Sequence, residues 1–196
     1  MLEVRQILDE RLENPGDTLS VKGNVPQAGY ELGGHHFDLP HGIDYDLVLT
    51  NAGEGILATG MIQAHVVGTC DRCLDPAEFD VDGEVDEYYL FHAPSEDRQT
   101  DDDEDDVDFA LVGDDHTVDL GEAIRDTLVM ETPFVVLCQP DCKGLCPVCG
   151  ANLNKEDCGH AAQIEAQREK ERLDASPFAA LRDLDLGDEE DRHAEE

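Results

Sequence analysis

The sequence predicts an α+β protein with a small antiparallel β-sheet or partial barrel, a packed helix and a cysteine-rich C-terminal segment. Three observations lead to this prediction. Apolar and polar residues alternate through residues 43–67 and 79–90, as in half-buried strands. Leu120, Ile124 and Leu128 fall on one helical face. Five of the seven cysteines lie between residues 138 and 158, at spacings typical of metal sites.

The first elements follow from these patterns. The apolar spacing of residues 2–12 fits a helix, or a strand followed by a helix. Residues 43–50 and 56–67 alternate on either side of the Gly-containing turn 51–55, which predicts a hairpin. Residues 79–90 predict a third strand. The turn Cys70-Asp-Arg-Cys73 therefore joins two strands, which give it rigid support.

The later elements are mostly helical. Asp119 and Glu122 have the spacing of a capping box, with Asp119 as N-cap, and Pro133 ends this helix. Residues 134–137 predict a short buried strand or an extended lead-in to the cysteines. Residues 161–173 predict a polar helix, and Ser176-Pro177 predicts the start of a last short helix.

Acidic residues dominate the composition. The chain has 48 Asp and Glu against 13 Lys and Arg, a net charge of −35. Residues 101–106 are uninterrupted acid, so we expect residues 95–108 to be a disordered acidic insertion. The expected organisation is a single domain over residues 1–160 and a helical acidic tail over 161–196. Such a chain repels polyanions at long range and attracts basic proteins.

The cysteines are expected to be reduced. No apolar run reaches the roughly 18 residues of a membrane span, and the N-terminus lacks the apolar stretch of a signal peptide. We therefore expect a cytoplasmic protein, in which clustered thiols favour metal over disulfides.

The segment Cys146-Pro-Val-Cys149-Gly150 is the strongest local signal. A glycine after the second cysteine permits the turn that directs both sulfurs at one ion. Cys158 and His160 are far enough along the chain to loop back as a second ligand pair. These four residues predict a zinc knuckle with three cysteines and one histidine.

The remaining cysteines fit a second site. Cys70 and Cys73 with Cys138 and Cys142 would give four sulfurs, so the chain would hold one or two Zn²⁺ ions. An ion closed by four protein ligands has no open position, which makes it structural. Two alternatives stay open: a redox dithiol, or a single all-cysteine site that leaves Cys70, Cys73 and Cys138 as free thiols and uses Cys142, Cys146, Cys149 and Cys158.

The sequence does not predict an enzyme. It shows no nucleophile–base constellation, no phosphate-cradling Gly loop and no His-Glu metal helix. His35, His36 and His41 are expected to lie in a Gly-rich loop without cysteines and to be exposed. No small-molecule substrate is expected.

The motifs resemble the large ribosomal RNA subunit accumulation protein family (YceD-like) over residues 40–185. The specific parts are Cys-Asp-Arg-Cys-Leu-Asp-Pro at 70–76 and Cys-x-x-x-Cys-Lys-Gly-Leu-Cys-Pro-x-Cys-Gly-x-Asn-Leu-Asn at 138–154. The chain departs at His160, where many relatives carry a cysteine. This supports His160 as a ligand and leaves the exact quartet open.

The resemblance implies a non-enzymatic role in 23S rRNA accumulation or processing, hence in ribosome biogenesis and large-subunit assembly. The implied partner is large-subunit ribosomal RNA or its precursor. Its candidate contacts are the basic residues near the metal turns, Arg72, Lys143 and Lys155, together with Arg125. The acidic composition suggests an alternative, an acidic escort or chaperone for a basic ribosomal protein.

Overall fold

The computed structural model describes residues 2–93 and 110–176. The predicted acidic insertion (95–108), the acidic end of the tail and the helix expected from Pro177 lie outside the described residues. The chain divides into two compact units, Met1–Cys142 and Lys143–Glu196. The expected domain boundary at residue 160 stays a prediction.

The predicted α+β class is confirmed. The strands are β1 (Arg5–Ile7), β2 (Thr18–Val25), β3 (Gly29–Leu32), β4 (His35–Asp38), β5 (Ile43–Asn51), β6 (Gly55–Thr69), β7 (Pro76–Leu90) and β8 (Thr117–Asp119). The main sheet has six antiparallel strands, with β2, β5 and β6 in order, and both β7 and the β3–β4 hairpin joined to β6. β1 and β8 form a separate antiparallel pair. The helices are a 3-10 turn (Glu10–Leu12), α1 (Gly121–Glu131) and α2 (Ala161–Asp174).

The long hairpin and its neighbour form the centre of the first unit. β5 pairs with β6 as the alternation predicted, and β7 pairs with β6 along its full length. Because side chains alternate across a strand, one face of this sheet is apolar and buried. Leu47, Leu49, Ile56, Ile62 and Val85 are each 1% exposed or less.

Helix α1 covers this apolar face. Ile124 and Leu128 of the predicted helical face are buried, together with Leu120 just before the helix. Gly83 of β7 allows the close approach, since a Cβ there would lie 2.5 Å from Cγ2 of Thr127. The sheet and α1 therefore form most of the hydrophobic core of the first unit, to which Val136 and Cys142 add buried side chains.

One local prediction is wrong. The capping box does not form, because α1 begins at Gly121 after Leu120, while Asp119 ends β8. The Asp119 carboxylate instead accepts hydrogen bonds from the N–H groups of Val4 and Gly121, which join the chain start to the helix start.

Residues 134–137 form no strand, which leaves the other alternative that the sequence offered, a lead-in to the cysteines. Phe134 is fully exposed, while Val136 is buried. The N–H of Val136 donates to the Asp71 carboxylate and its carbonyl accepts from the Asp71 N–H, so side-chain and turn contacts replace strand pairing. The ambiguous N-terminal segment contains β1 followed by the 3-10 turn.

Two candidate metal centres

The first knuckle is the turn between β6 and β7. β6 ends at Thr69 and β7 begins at Pro76, so Cys70 and Cys73 lie in the tight connection. The N–H of Leu74 donates to the Cys70 carbonyl, and Leu74 takes a left-handed φ of 62°. This positive φ is uncommon for leucine and shows how tightly the turn closes. Both cysteines are buried.

Cys138 and Cys142 bring the second pair of sulfurs to the same place. The Sγ atoms of Cys70 and Cys142 are 3.7 Å apart, and those of Cys73 and Cys138 are 3.5 Å apart. All four sulfurs lie within 4.8 Å of one another. With Zn–S bonds of about 2.3 Å, a tetrahedral site has S–S edges of about 3.8 Å. The quartet therefore has the dimensions of a zinc tetrahedron, whereas a disulfide needs about 2.05 Å.

Two neighbours of the cysteines hold this arrangement. Asp71 makes the contacts to Val136 described above, and Nη1 of Arg72 donates to the Cys142 carbonyl over 2.9 Å. The residues between the two cysteines of the knuckle thus bind the chain that carries the other two. No sequence signal identified this role of Asp71 and Arg72, because it depends on contacts with residues 65 and 70 positions away along the chain.

The local hydrogen bonds favour a thiolate at Cys70. Burial acts to raise the pKa of this thiol, but N–H groups of Cys138, Cys73 and Arg72 donate to the sulfur and lower the pKa to about 6. The hydrogen bond with the Cys73 side chain instead raises the pKa of Cys138 to about 12. The Cys70 sulfur is therefore favoured as a thiolate, the form that binds metal.

The second knuckle is a small hairpin in the second unit. The N–H of Cys146 donates to the Ala151 carbonyl, and the N–H of Gly150 donates back to the Cys146 carbonyl. Gly150 has a φ of 74°, the left-handed conformation that the sequence predicted for it. Two backbone hydrogen bonds therefore close the turn.

Cys158 and His160 lie beside this turn. Nδ1 of His160 is 3.8 Å from Sγ of Cys146, and one ligand atom from each of Cys146, Cys149, Cys158 and His160 lies within 4.8 Å of the others. Burial acts to raise the pKa of Cys146, but N–H groups of Cys149 and Val148 lower it to about 6. Helix α2 begins directly after His160.

The donor sets fit structural zinc. Four cysteines, or three cysteines with one histidine, are the ligand sets of closed tetrahedral sites. The two clusters could therefore hold metal ions, and the chain supplies four ligands to each. The structure places Cys142 with Cys70, Cys73 and Cys138, which is the first of the two groupings that the sequence left open.

The candidate RNA contacts lie in both units. Arg72 is bound to the Cys142 carbonyl, and Arg125 of α1 pairs with Asp126 over 3.2 Å. Lys143 and Lys155 lie on the second knuckle, and both are exposed. The expected exposure of His35, His36 and His41 is confirmed, although His35 and His36 belong to β4 and not to a loop.

The solvent face of the main sheet is strongly acidic. Alternate residues of β7 point to this face, and on β5 the exposed Asp44 and Asp46 belong to it as well. Lys22 pairs with Asp46 over 2.6 Å, and His65 pairs with Asp80 over 2.7 Å. We call this surface the acidic sheet face; its β7 members are Glu78, Asp80, Asp82, Glu84 and Asp86.

The chain matches one family model, described as Large ribosomal RNA subunit accumulation protein YceD, over residues 58–185. That description names an accumulation protein and no class of enzyme. No solved structure matches the chain at a significant level. Among the described residues, no helix has the length and apolar character needed to cross a membrane.

Similar curated proteins support the same family. An uncharacterized protein of Mycobacterium tuberculosis is 37% identical over 123 residues, which are 63% of this chain and 57% of that protein. One of Mycobacterium leprae is 32% identical over 149 residues, 74% of this chain and 65% of that protein. The chloroplastic YCED homolog 1 of Arabidopsis thaliana is 35% identical over 66 residues, 34% of this chain and 19% of that protein. The chain thus spans less than two thirds of the length of these relatives.

Proposed function

Because the chain belongs to the YceD family of large ribosomal RNA subunit accumulation proteins, we propose that it is a non-enzymatic, zinc-binding factor that supports 23S rRNA accumulation and large-subunit assembly. The observation that carries the proposal is the pair of four-ligand clusters within a family match of 128 residues (58–185). Both centres are closed, so the ions would stabilise the fold and leave no position for a substrate. The cytoplasmic location expected from the sequence is part of this proposal.

Depletion of the protein in cells tests the role in accumulation. We expect the amount of 23S rRNA to fall relative to 16S rRNA, and a wild-type copy to restore it. Cys146→Ser should fail to restore it, because the second centre loses a ligand. Val148→Ala is the matched control, since Val148 lies in the same turn, is 60% exposed and is not a ligand. An unchanged ratio of the two RNAs after depletion would contradict the proposed function.

The four candidate contacts, Arg72, Lys143, Lys155 and Arg125, are proposed to bind phosphates of large-subunit RNA. Arg72→Ala with Lys143→Ala should weaken the gel shift of a large-subunit RNA fragment. Since Arg72 also holds the Cys142 carbonyl, the metal content of the variant must be measured in parallel. Unaltered binding by a variant with normal metal content would exclude Arg72 and Lys143 as RNA contacts.

The acidic sheet face favours the second candidate function, an escort for a basic ribosomal protein. Five carboxylates in a row on one strand create a negative potential that attracts a cationic partner at low salt. Glu84→Gln with Asp86→Asn should reduce recovery of basic ribosomal proteins in a low-salt pull-down. Glu10→Gln with Glu13→Gln removes the same charge elsewhere and should leave recovery unchanged. Equal recovery by the two variants would argue against the escort.

A further inference from the structure

Cations are concentrated in the second unit. Residues 143–196 carry seven Lys and Arg against 14 Asp and Glu, whereas residues 1–142 carry six against 34. The second unit therefore has less net negative charge per residue and repels a polyanion less than the first unit does. This makes the second unit the better candidate for a nucleic-acid surface.

A groove of about 470 Å³ lies there between the second knuckle and α2. Its apolar floor contains Leu145, Pro147 and Leu153 of the knuckle and Ile164 of the first helical turn. The floor is held by backbone bonds, because the N–H of Leu153 donates to the carbonyl of residue 144, and the N–H of Ile164 donates to the carbonyl of residue 160. Both halves of the floor are thus attached to segments that carry metal ligands.

Three cations and two carboxylates line the groove, the carboxylates being Glu165 and Glu169, so the lining carries a net charge of +1. Arg168 and Arg172 are one helical turn apart on the same face of α2, and Lys143 contributes from the knuckle. Arg172 pairs with Glu169 over 2.8 Å, while Lys143 and Arg168 form no ion pair with another described side chain. Neither arginine was a candidate from the sequence, because α2 alternates basic and acidic residues and shows no basic cluster along the chain.

We propose that this groove binds a single-stranded segment of ribosomal RNA, with phosphates on the three cations and base faces on the apolar floor. The site deepens the function proposed above and rests on it. Unpaired RNA exposes base faces that an apolar floor can bury, whereas a duplex hides them by stacking. The cations match the phosphate backbone, which is the main source of affinity for nucleic acid. An acidic peptide would pair with the cations but would not bury the apolar side chains of the floor.

The test compares two charge-matched double variants of the full chain. Arg168→Gln with Arg172→Gln removes two groove cations. Lys170→Gln with Arg5→Gln removes two cations that do not line the groove, one of them on the same helix. The probes are a labelled oligouridylate of about 12 nucleotides and an RNA duplex of the same length. Binding is measured by fluorescence anisotropy between about 50 and 200 mM salt.

Each phosphate contact to a single strand contributes about 0.7 to the salt slope, so losing two lowers it by about 1.4. At about 0.1 M salt, the groove variant should bind the oligouridylate about 25-fold more weakly. The control variant should bind like the wild type, and the duplex should bind more weakly than the single strand.

Each failure has a distinct meaning. Equal losses in the two variants, or duplex binding as tight as single-strand binding, would overturn the groove while leaving the accumulation role intact. A pull-down could instead recover a protein with the wild type and the control variant but not with the groove variant. If the wild type then bound no RNA, the groove would be a protein-binding site. If wild type binds no RNA but depletion still lowers 23S rRNA, the groove proposal fails and the accumulation role survives. An unchanged 23S level on depletion removes the function itself.

Discussion

Removal of the metal should unfold the second knuckle while the main sheet stays folded. Cys146 is the only buried hydrophobic residue among those described in the second unit. The first unit, by contrast, has a hydrophobic core between the main sheet and α1. The described part of this unit, residues 143–176, is 34 residues long, and segments below roughly 40 residues usually need metals or disulfides to fold. Helix α2, with 14 residues, is near the length at which isolated helices are marginal in water. The ion is therefore expected to supply most of the stability of this unit.

The magnitude follows from the binding free energy of a structural zinc, which is about 10 kcal/mol or more. Losing even about 3 kcal/mol of it speeds amide exchange about 100-fold, since each factor of ten is about 1.4 kcal/mol. The N–H groups of Cys146, Gly150 and Leu153 close the knuckle and should report this loss. Amides of β5 and β6 should exchange at nearly unchanged rates.

Hydrogen–deuterium exchange with mass spectrometry, before and after chelation, is the assay. Elemental analysis of the chelated sample provides the control that the metal is gone. The reasoning would be refuted if peptides covering residues 144–160 kept their protection in metal-free protein. It would also be refuted if the sheet lost protection together with the knuckle.

Three further outcomes are expected. Gly83→Val should destabilise the protein by about 1–3 kcal/mol, because the new side chain meets Thr127 of α1. Glu84→Val, on the solvent face, is the control and should leave the stability unchanged. A Gly83→Val variant with the wild-type Tm would contradict the packing of α1 on β7. Asn51→Ala should cost about 1–3 kcal/mol in urea unfolding, since its buried amide donates to the Leu12 carbonyl over 2.8 Å; no change would mean that this bond is not formed in solution. Chelation should also abolish binding of the oligouridylate, because the groove floor lies on the knuckle; binding that survives metal removal would separate the two.

Local patterns predicted the parts of the fold that are encoded locally. The β5–β6 hairpin and β7 follow from strict alternation over long segments, and α2 from its lack of breakers. The strands β2 to β4 were not predicted. β2 alternates Leu19, Val21 and Val25 with polar residues, a period-two signal that was overlooked because Gly23 interrupts it, and β3 and β4 are four residues each. Their pairing depends on partners that a single segment does not reveal.

Contacts between distant residues explain the errors. The apolar run 134–137 has the composition of a strand, but Asp71 takes the N–H and carbonyl groups of Val136 that a neighbouring strand would need. Asp119 has the right spacing for a helix cap, but its carboxylate is used by Val4 as well as by Gly121. The knuckles were found because tight turns fix the distance between their sulfurs locally. Which pairs share a site was left open, since that depends on the folded chain.

The number of zinc ions per chain tests the account most directly. Elemental analysis of protein purified without added zinc should give two ions per chain. Cys70→Ser and Cys146→Ser should each leave one, because they belong to different clusters. A single ion in the wild type, or the loss of both ions on one of these substitutions, would contradict two independent structural centres, and protein without metal would remove them altogether.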